Sequence, residues 1–272
     1  MKKFKHIVFF GLLLILSCED VIDVNLSNAE PKLVIDASLR WAKGTDGKSQ
    51  QIKLTLSAPY FNDGVPPATG AQVTVTDANN FVYSFIEDGN TGIYNNSNFI
   101  PKIGDEYNLT IIYENETYVG TETMKSVVPI NRIEQKNDGG FTGDEIEIKV
   151  FYTDPAGIEN FYLFEFFIVN KSILSLEVYD DEFTDGNEIF AFYTEEDIKA
   201  GDELHITNSG ISQRSYDFLN ILLQQTDENG GDPFETQPAT VRGNCINQTN
   251  PDNFPLGYFR VTETDVVRYI VK

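Results

Sequence analysis

Cysteine and histidine are scarce in this chain, with two residues of each type among 272. His205 is the only histidine outside the N-terminal segment, so metal sites that need two or more histidines are excluded for the rest of the chain. A catalytic triad would also have to use His205. The sequence contains no Gly-x-Ser-x-Gly elbow and no glycine-rich phosphate loop. It therefore predicts no catalytic residue and no nucleotide site, and we expect a protein that is not an enzyme.

Long hydrophobic runs are lacking as well, apart from residues 7–16. This run follows three lysines, and Ser17 and Cys18 come directly after it. This run is too short to span a bilayer, which takes about 20 apolar residues. A basic start, a short apolar stretch and a small residue before a cysteine are typical of a bacterial lipoprotein signal. We expect cleavage before Cys18 and lipidation of that residue, the alternative being an ordinary signal peptide. With Cys18 lipidated, Cys245 has no disulfide partner, and we expect a buried, inert thiol.

Positive charge is in short supply, with 20 Lys and Arg against 42 Asp and Glu. Removing residues 1–17 takes away three lysines and no acidic residue, so the net charge falls from −22 to −25. A surface this acidic repels nucleic acid and anionic headgroups, since binding to either needs basic side chains. The lipid must then supply the membrane affinity, and no nucleic-acid partner is expected.

Few helical patterns occur, whereas 20 Phe and 13 Tyr favour strands. Apolar and polar residues alternate over residues 33–40, 51–57 and 71–76, as in strands with one wet face. Short strands broken by Gly, Asn and Asp turns predict a mainly β protein that begins with an immunoglobulin-like antiparallel β-sandwich at residues 32–128. Before it we expect a signal peptide at residues 1–17 and a lipidated tether at 18–31.

Residues 129–272 are more aromatic and predict a second β-rich domain with one helix near residues 211–226, capped by Ser209 or Ser212. Residues 161–167 are apolar on both faces except at Glu165, which indicates a strand that is buried on both sides. Glu165 either occupies an unusual environment there or points past a sheet edge into water.

Seven short segments follow one another along the chain, at residues 21–24, 30–35, 70–75, 92–94, 154–155, 243–244 and 256–259. Together with the lipoprotein signal they resemble the DUF4249 lipoproteins of Bacteroidetes-type bacteria. The resemblance implies an outer-membrane lipoprotein, often encoded beside a TonB-dependent transporter, with no established activity or catalytic residues. Glu19 and Asp20 also resemble the signal that sends such lipoproteins to the cell surface.

One acidic loop is a candidate metal site. Asp181, Asp185, Asn187 and Glu188 surround Gly186, and calcium prefers several oxygen ligands on a tight turn. The spacing does not match an EF-hand. The alternative is a hairpin turn with solvated charges. Calcium is the only cofactor for which the sequence offers a candidate site.

Two functions remain open. The first is an accessory lipoprotein that binds a partner, such as a TonB-dependent transporter, through exposed aromatic residues; the candidates are Trp41, Tyr60 and Phe61, for which core burial is the alternative. The second is an extracellular hydrolase that cleaves glycan or peptide with two carboxylates in a deep cleft. The first is preferred because no catalytic motif supports the second.

Replacing Cys18 tests the anchor. We expect Cys18→Ala to move the protein from the membrane fraction to the soluble fraction, because acyl chains provide the membrane affinity. Cell fractionation with immunoblotting measures this. Cys245→Ala removes the other cysteine and should leave the protein in the membrane. Retention of the Cys18→Ala protein in membranes would contradict the lipoprotein assignment.

Overall fold

Strands make up most of the molecule, as the alternating patterns predict. The computed structural model describes residues 30–59, 64–140, 143–226 and 241–272, so Cys18, Tyr60 and Phe61 lie outside the described residues. Within those ranges the elements are β1 (Leu33–Ala42), β2 (Gln50–Leu56), β3 (Gln72–Thr76), β4 (Val82–Glu87), β5 (Ile93–Asn96), β6 (Glu106–Tyr113), β7 (Glu116–Thr123), β8 (Ile130–Gly139), β9 (Glu145–Thr153), β10 (Phe161–Ile168), β11 (Ile173–Asp180), β12 (Glu188–Thr194), β13 (Glu203–Ile211), α1 (Gln213–Thr226), β14 (Cys245–Asn247) and β15 (Leu256–Ile270).

Twelve strands form one continuous sheet, in the order β11-β10-β13-β15-β1-β2-β5-β4-β3-β6-β7-β14. Only two residue pairs join β4 to β5. On either side of this junction, the inward residues of β1, β2, β5 and β15 share a core with those of β3, β4, β6 and β7. Fully buried members of this first core include Ile35, Leu39, Tyr94, Tyr107 and Phe259. The expected β-sandwich is therefore present, and the fold is mainly β.

A second core lies between the three-stranded sheet β12-β9-β8 and one face of β10, β11 and β13. Tyr162, Phe164 and Phe166 of β10 point into this core. Phe161 and Leu163 point the other way and pack with α1. Strand β10 is thus buried on both sides, which explains why its sequence is apolar on both faces.

Helix α1 begins after Ser212, whose Oγ accepts a hydrogen bond from the Ser215 amide at 3.2 Å. Ser212, one of the two predicted caps, therefore satisfies an amide that the helix itself leaves unpaired. The helix packs through Leu219 and Tyr216 against β10 and β11. Within the described ranges, no helix combines the length and apolar character needed to cross a membrane.

The division between the two β regions differs from the expected boundary at residue 128. Strand β15 pairs in parallel with β1 through residue 264 and then pairs antiparallel with β13. Strand β14 adds to β7, so residues from the C-terminal part complete the first sandwich. Strand β15 is a single strand of 15 residues that makes both pairings. Pro31–Lys272 accordingly forms one compact unit.

Gly257 permits the close pairing of β1 and β15. Its φ is +88°, and a Cβ placed on it would lie 2.1 Å from the Ile35 carbonyl oxygen. We expect Gly257→Ala to lower the free energy of unfolding by about 4 kcal/mol, because backbone atoms would have to move apart. Urea denaturation measures this change. Gly89→Ala is the control, since Gly89 has a φ of +64° but no atom near its Cβ position; its cost should be about 1 to 2 kcal/mol. Equal losses would contradict the steric role of Gly257.

Candidate functional site

Trp41 is packed against its own loop, unlike the exposed contact residue that the sequence suggested. Its Nε1 donates a hydrogen bond to the Thr45 carbonyl oxygen at 2.9 Å. Its ring is only partly exposed and contacts the edge of the first core. Of the three candidate aromatic residues, Trp41 is the one within the described ranges, and these contacts give it a structural role.

An exposed set of aromatic rings occurs instead on the outer side of the three-stranded sheet. Phe151 of β9 lies opposite Phe190 of β12 on one side and Arg132 of β8 on the other. Phe192 is the next outward residue of β12 and lies opposite Lys149. Phe190 is 42% exposed and Phe192 is 37% exposed. We call Arg132, Lys149, Phe151, Phe190 and Phe192 the aromatic face.

Two cation–π contacts occur within the aromatic face. The Phe151 and Phe190 ring centroids are 5.3 Å apart. The Arg132 Cζ lies 3.4 Å from the centre of the Phe151 ring, and the Lys149 Nζ lies 4.9 Å from that of Phe190. Cations at these distances are attracted by the negative faces of the rings. Four of the five side chains of the aromatic face therefore contact one another.

Arg132 also binds two carboxylates, those of Glu134 and Glu188. The hydrogen bond to Glu188, with the charges of both glutamates, raises the pKa of Arg132 above its usual value. The guanidinium thus links β8 to β12 across β9. Glu188, expected as a calcium ligand, belongs to this ion pair instead.

The predicted calcium loop contributes two of its four expected ligands to an acidic cluster. One carboxylate oxygen each from Asp154, Asp181 and Asp185 lie within 4.8 Å of one another, and we call these residues the aspartate cluster. The third carboxylate of the cluster comes from Asp154, and neither Asn187 nor Glu188 is part of it. The Asn187 side-chain amide instead donates a hydrogen bond to the Asp185 carbonyl oxygen at 3.0 Å.

Strand pairing brings Asp154 to this loop. It directly follows β9, and its amide donates to the Asn187 carbonyl oxygen at 3.0 Å, which continues the β9–β12 ladder. Residues 154–155 were visible in the sequence as one of the segments that resemble the family. The sequence did not predict that Asp154 lies beside Asp181 and Asp185, because these residues are far apart along the chain and periodicity does not show which strands pair.

Hydrogen bonds orient all three carboxylates. Asp154 is 2% exposed and Asp181 is 4% exposed, whereas Asp185 is open to solvent. The donors are the Tyr162 hydroxyl to Asp154 at 2.5 Å, the Gly186 amide to Asp154 at 3.2 Å, the Asn160 amide to Asp181 at 2.8 Å, and the Gly157 amide to Asp185 at 2.7 Å. Neutral donors thus position the cluster.

Two other singled-out residues have structural partners. Glu165 accepts two hydrogen bonds from the Arg40 guanidinium, at 2.5 and 2.7 Å, and is 12% exposed. This bidentate ion pair connects β10 to β1. His205 has its Nε2 2.6 Å from a Glu203 carboxylate oxygen.

Comparison with known proteins places the chain in a family. The model of DUF4249, a domain of unknown function, matches residues 19–267. The chain belongs to the DUF4249 family. No curated protein matches the DUF4249 chain.

Two solved structures resemble parts of this DUF4249 protein. A segment of two fibronectin type III domains from chicken tenascin is 11% identical, covers 67% of this chain and 91% of its own, and has a TM-score of 0.23. A DUF4785 family protein from Legionella pneumophila is 8% identical, covers 66% of this chain and 51% of its own, and has a TM-score of 0.25.

Two segments that carry the DUF4249 resemblance meet in the first sandwich. The Asn244 side chain accepts a hydrogen bond from the Phe259 amide at 2.8 Å and donates one to the Phe259 carbonyl oxygen at 2.6 Å. A buried side-chain amide therefore pairs with β15 as a neighbouring strand would. These contacts assign a structural role to residues 243–244 and 256–259.

Cys245 lies beside them in the first core, and burial raises the pKa of its thiol to about 12. Because the thiolate is the reactive form, we expect native Cys18→Ala protein to resist iodoacetamide at mildly alkaline pH and to react after denaturation in urea. Mass spectrometry measures the alkylation. Adding Ser97→Cys in an exposed loop supplies a reactive control. Rapid alkylation of Cys245 in the folded protein would contradict its inert role.

Proposed function

We propose that this protein is a lipid-anchored accessory lipoprotein of the outer membrane, exposed at the cell surface, that binds a partner protein through the aromatic face. The preferred partner is a TonB-dependent transporter. The observation that carries the proposal is the exposure of Phe190 and Phe192 on this sheet, beside Arg132 stacked on the Phe151 ring and Lys149 next to the Phe190 ring. Aromatic residues and arginine are enriched where protein interfaces gain most of their binding energy.

The charge of the chain supports a protein partner and a lipid anchor. With a net charge of −25 after signal cleavage, the protein lacks the excess of basic residues that binds anionic headgroups or nucleic acid. Cys18 is outside the described residues, so its lipidation rests on the sequence. Anchoring would confine the aromatic face to the membrane surface and raise its effective concentration near a membrane partner.

The alternative, a hydrolase acting on glycan or peptide, would need two carboxylates across one cleft. Three surface hollows lined by described residues contain one carboxylate each, Asp36 in two of them and Glu159 in the third. We prefer binding because the exposed rings of the aromatic face support it, whereas none of these three hollows has a pair of carboxylates.

Native purification tests the proposed partner. We expect a TonB-dependent transporter to be isolated with the protein from membranes in mild detergent. Combining Phe190→Ala with Phe192→Ala should reduce the recovered transporter by about tenfold or more, because losing central aromatic contacts commonly costs about 2 kcal/mol. Quantitative mass spectrometry measures the recovery. Phe81→Ala is a matched control, since Phe81 is 57% exposed in the first sandwich.

The outcomes separate the two functions. Unchanged recovery from the double variant would reject the aromatic face as the binding surface. A purified monomer that carries no transporter and cleaves polysaccharide or peptide would overturn the accessory function in favour of the hydrolase.

A further inference from the structure

We propose that Asp154, Asp181 and Asp185 bind one calcium ion at the end of the second core. Their three carboxylate oxygens lie within 4.8 Å of one another. Oxygen ligands sit about 2.3–2.6 Å from calcium, so two ligands of one ion are at most about 5 Å apart. The separations of the three oxygens therefore fall within the range that two ligands of one calcium ion can have. The proposal is independent of partner binding by the aromatic face.

The cluster concentrates negative charge without a positive partner. Of the ion pairs formed by the described residues, none involves Asp154, Asp181 or Asp185. The hydrogen bonds that orient these carboxylates come from amides and a tyrosine hydroxyl, which carry no net charge. A buried carboxylate is unfavourable unless it is paired or bound to a metal. A divalent cation would compensate this charge.

Two orphaned polar atoms independently indicate a missing ligand. Tyr152 is fully buried, and its hydroxyl has no hydrogen-bond partner among the described residues. It lies two positions before Asp154 on the inward face of β9, and its ring centroid is 4.9 Å from that of Tyr162, whose hydroxyl donates a hydrogen bond to Asp154. Thr184 lies in the turn between Asp181 and Asp185, and its Oγ1 is likewise buried without a partner.

Buried polar atoms without a hydrogen-bond partner are rare in folded proteins, where nearly all buried polar groups are hydrogen-bonded. Six side-chain atoms in the described residues are of this kind, and these two come from residues beside the aspartate cluster. A hydroxyl oxygen near a bound cation can contact the ion directly or bond to one of its water ligands. The ion would thereby account for atoms that the protein alone leaves unsatisfied.

The chemistry of the ligands selects calcium. All three side chains offer carboxylate oxygens, and the described residues place no histidine or cysteine in the cluster, so a hard cation is favoured over zinc or copper. Magnesium demands a strict octahedron and releases its water reluctantly, whereas calcium accepts irregular arrangements of six to eight oxygens. Solvent at the exposed Asp185 can supply the remaining ligands.

The loops are already held together before an ion binds. Gly186 has a φ of +72°, and a Cβ there would lie 2.7 Å from the Ala156 Cβ. The Gly157 amide donates to the Asp185 carboxylate at 2.7 Å. Little conformational entropy would then be lost on binding, which favours affinity.

Calcium titration of the full-length protein, after removal of metals with a chelator, tests the site. We expect isothermal titration calorimetry to give one calcium per chain and magnesium to bind more weakly. Calcium should also raise the thermal unfolding midpoint, since a ligand that binds the folded state stabilises it. Terbium should bind with luminescence sensitised by the nearby Tyr152 and Tyr162.

Two single variants separate coordination from general charge. Removing a group that only hydrogen-bonds to a metal ligand lowers metal affinity by about 10–100-fold. Loss of a ligand itself should cost no less, so we expect Asp181→Asn and Asp185→Asn each to weaken calcium binding by at least about tenfold. Glu182→Gln removes the same charge from an exposed position in the same loop and should change affinity by less than about threefold. Circular dichroism checks that each variant is folded.

Three results would overturn the calcium site. Absence of both calcium heat and terbium luminescence in the unaltered protein would reject the site. Loss of affinity in Glu182→Gln equal to that in Asp185→Asn would show attraction by the acidic loop without a coordinated ion. Unchanged affinity in both aspartate variants would place any bound calcium elsewhere.

Discussion

The pairing of β15 with β1 and β13 holds the two β cores together. The first part of β15 lies parallel to β1 over nine residue pairs and places Phe259 and Val261 in the first core. Its later part pairs with β13, and Tyr269 packs against the second core. Ion pairs reinforce the same junction, between Arg40 and Glu165 and between Lys43 and Glu263. Each core therefore depends on the strand that completes the other.

Both candidate sites are built on the small sheet that covers the second core. In β9, Lys149 and Phe151 face outward as part of the aromatic face, whereas Tyr152 faces inward. Asp154 is the first residue after β9 and belongs to the aspartate cluster. The alternation of side chains along one strand thus separates an exposed binding surface from an acidic site at the sheet end. The small sheet thus carries the aromatic face directly and positions the loops that hold the aspartate cluster.

The two proposals make different demands on the acidic character of the chain. Binding through the aromatic face relies on apolar contacts, because the cations there are already engaged with rings and glutamates. The aspartate cluster instead uses negative charge that the fold has concentrated in one place. Calcium affinities of about 10⁻⁴ to 10⁻³ M are typical of extracellular modules. The proposed location at the cell surface would call for an affinity of this order.

The sequence by itself determined the strand content, the capped helix and the burial of β10 on both faces, since these follow from the local order of apolar and polar residues. It also identified Asp181 and Asp185 as candidate ligands. Only the tertiary structure decided that β15 is one strand shared by two cores, that Phe190 joins Phe151, and that Asp154 completes the aspartate cluster. Periodicity is a property of neighbouring residues, whereas the choice of strand partners depends on the free energy of burying whole faces between distant parts of the chain.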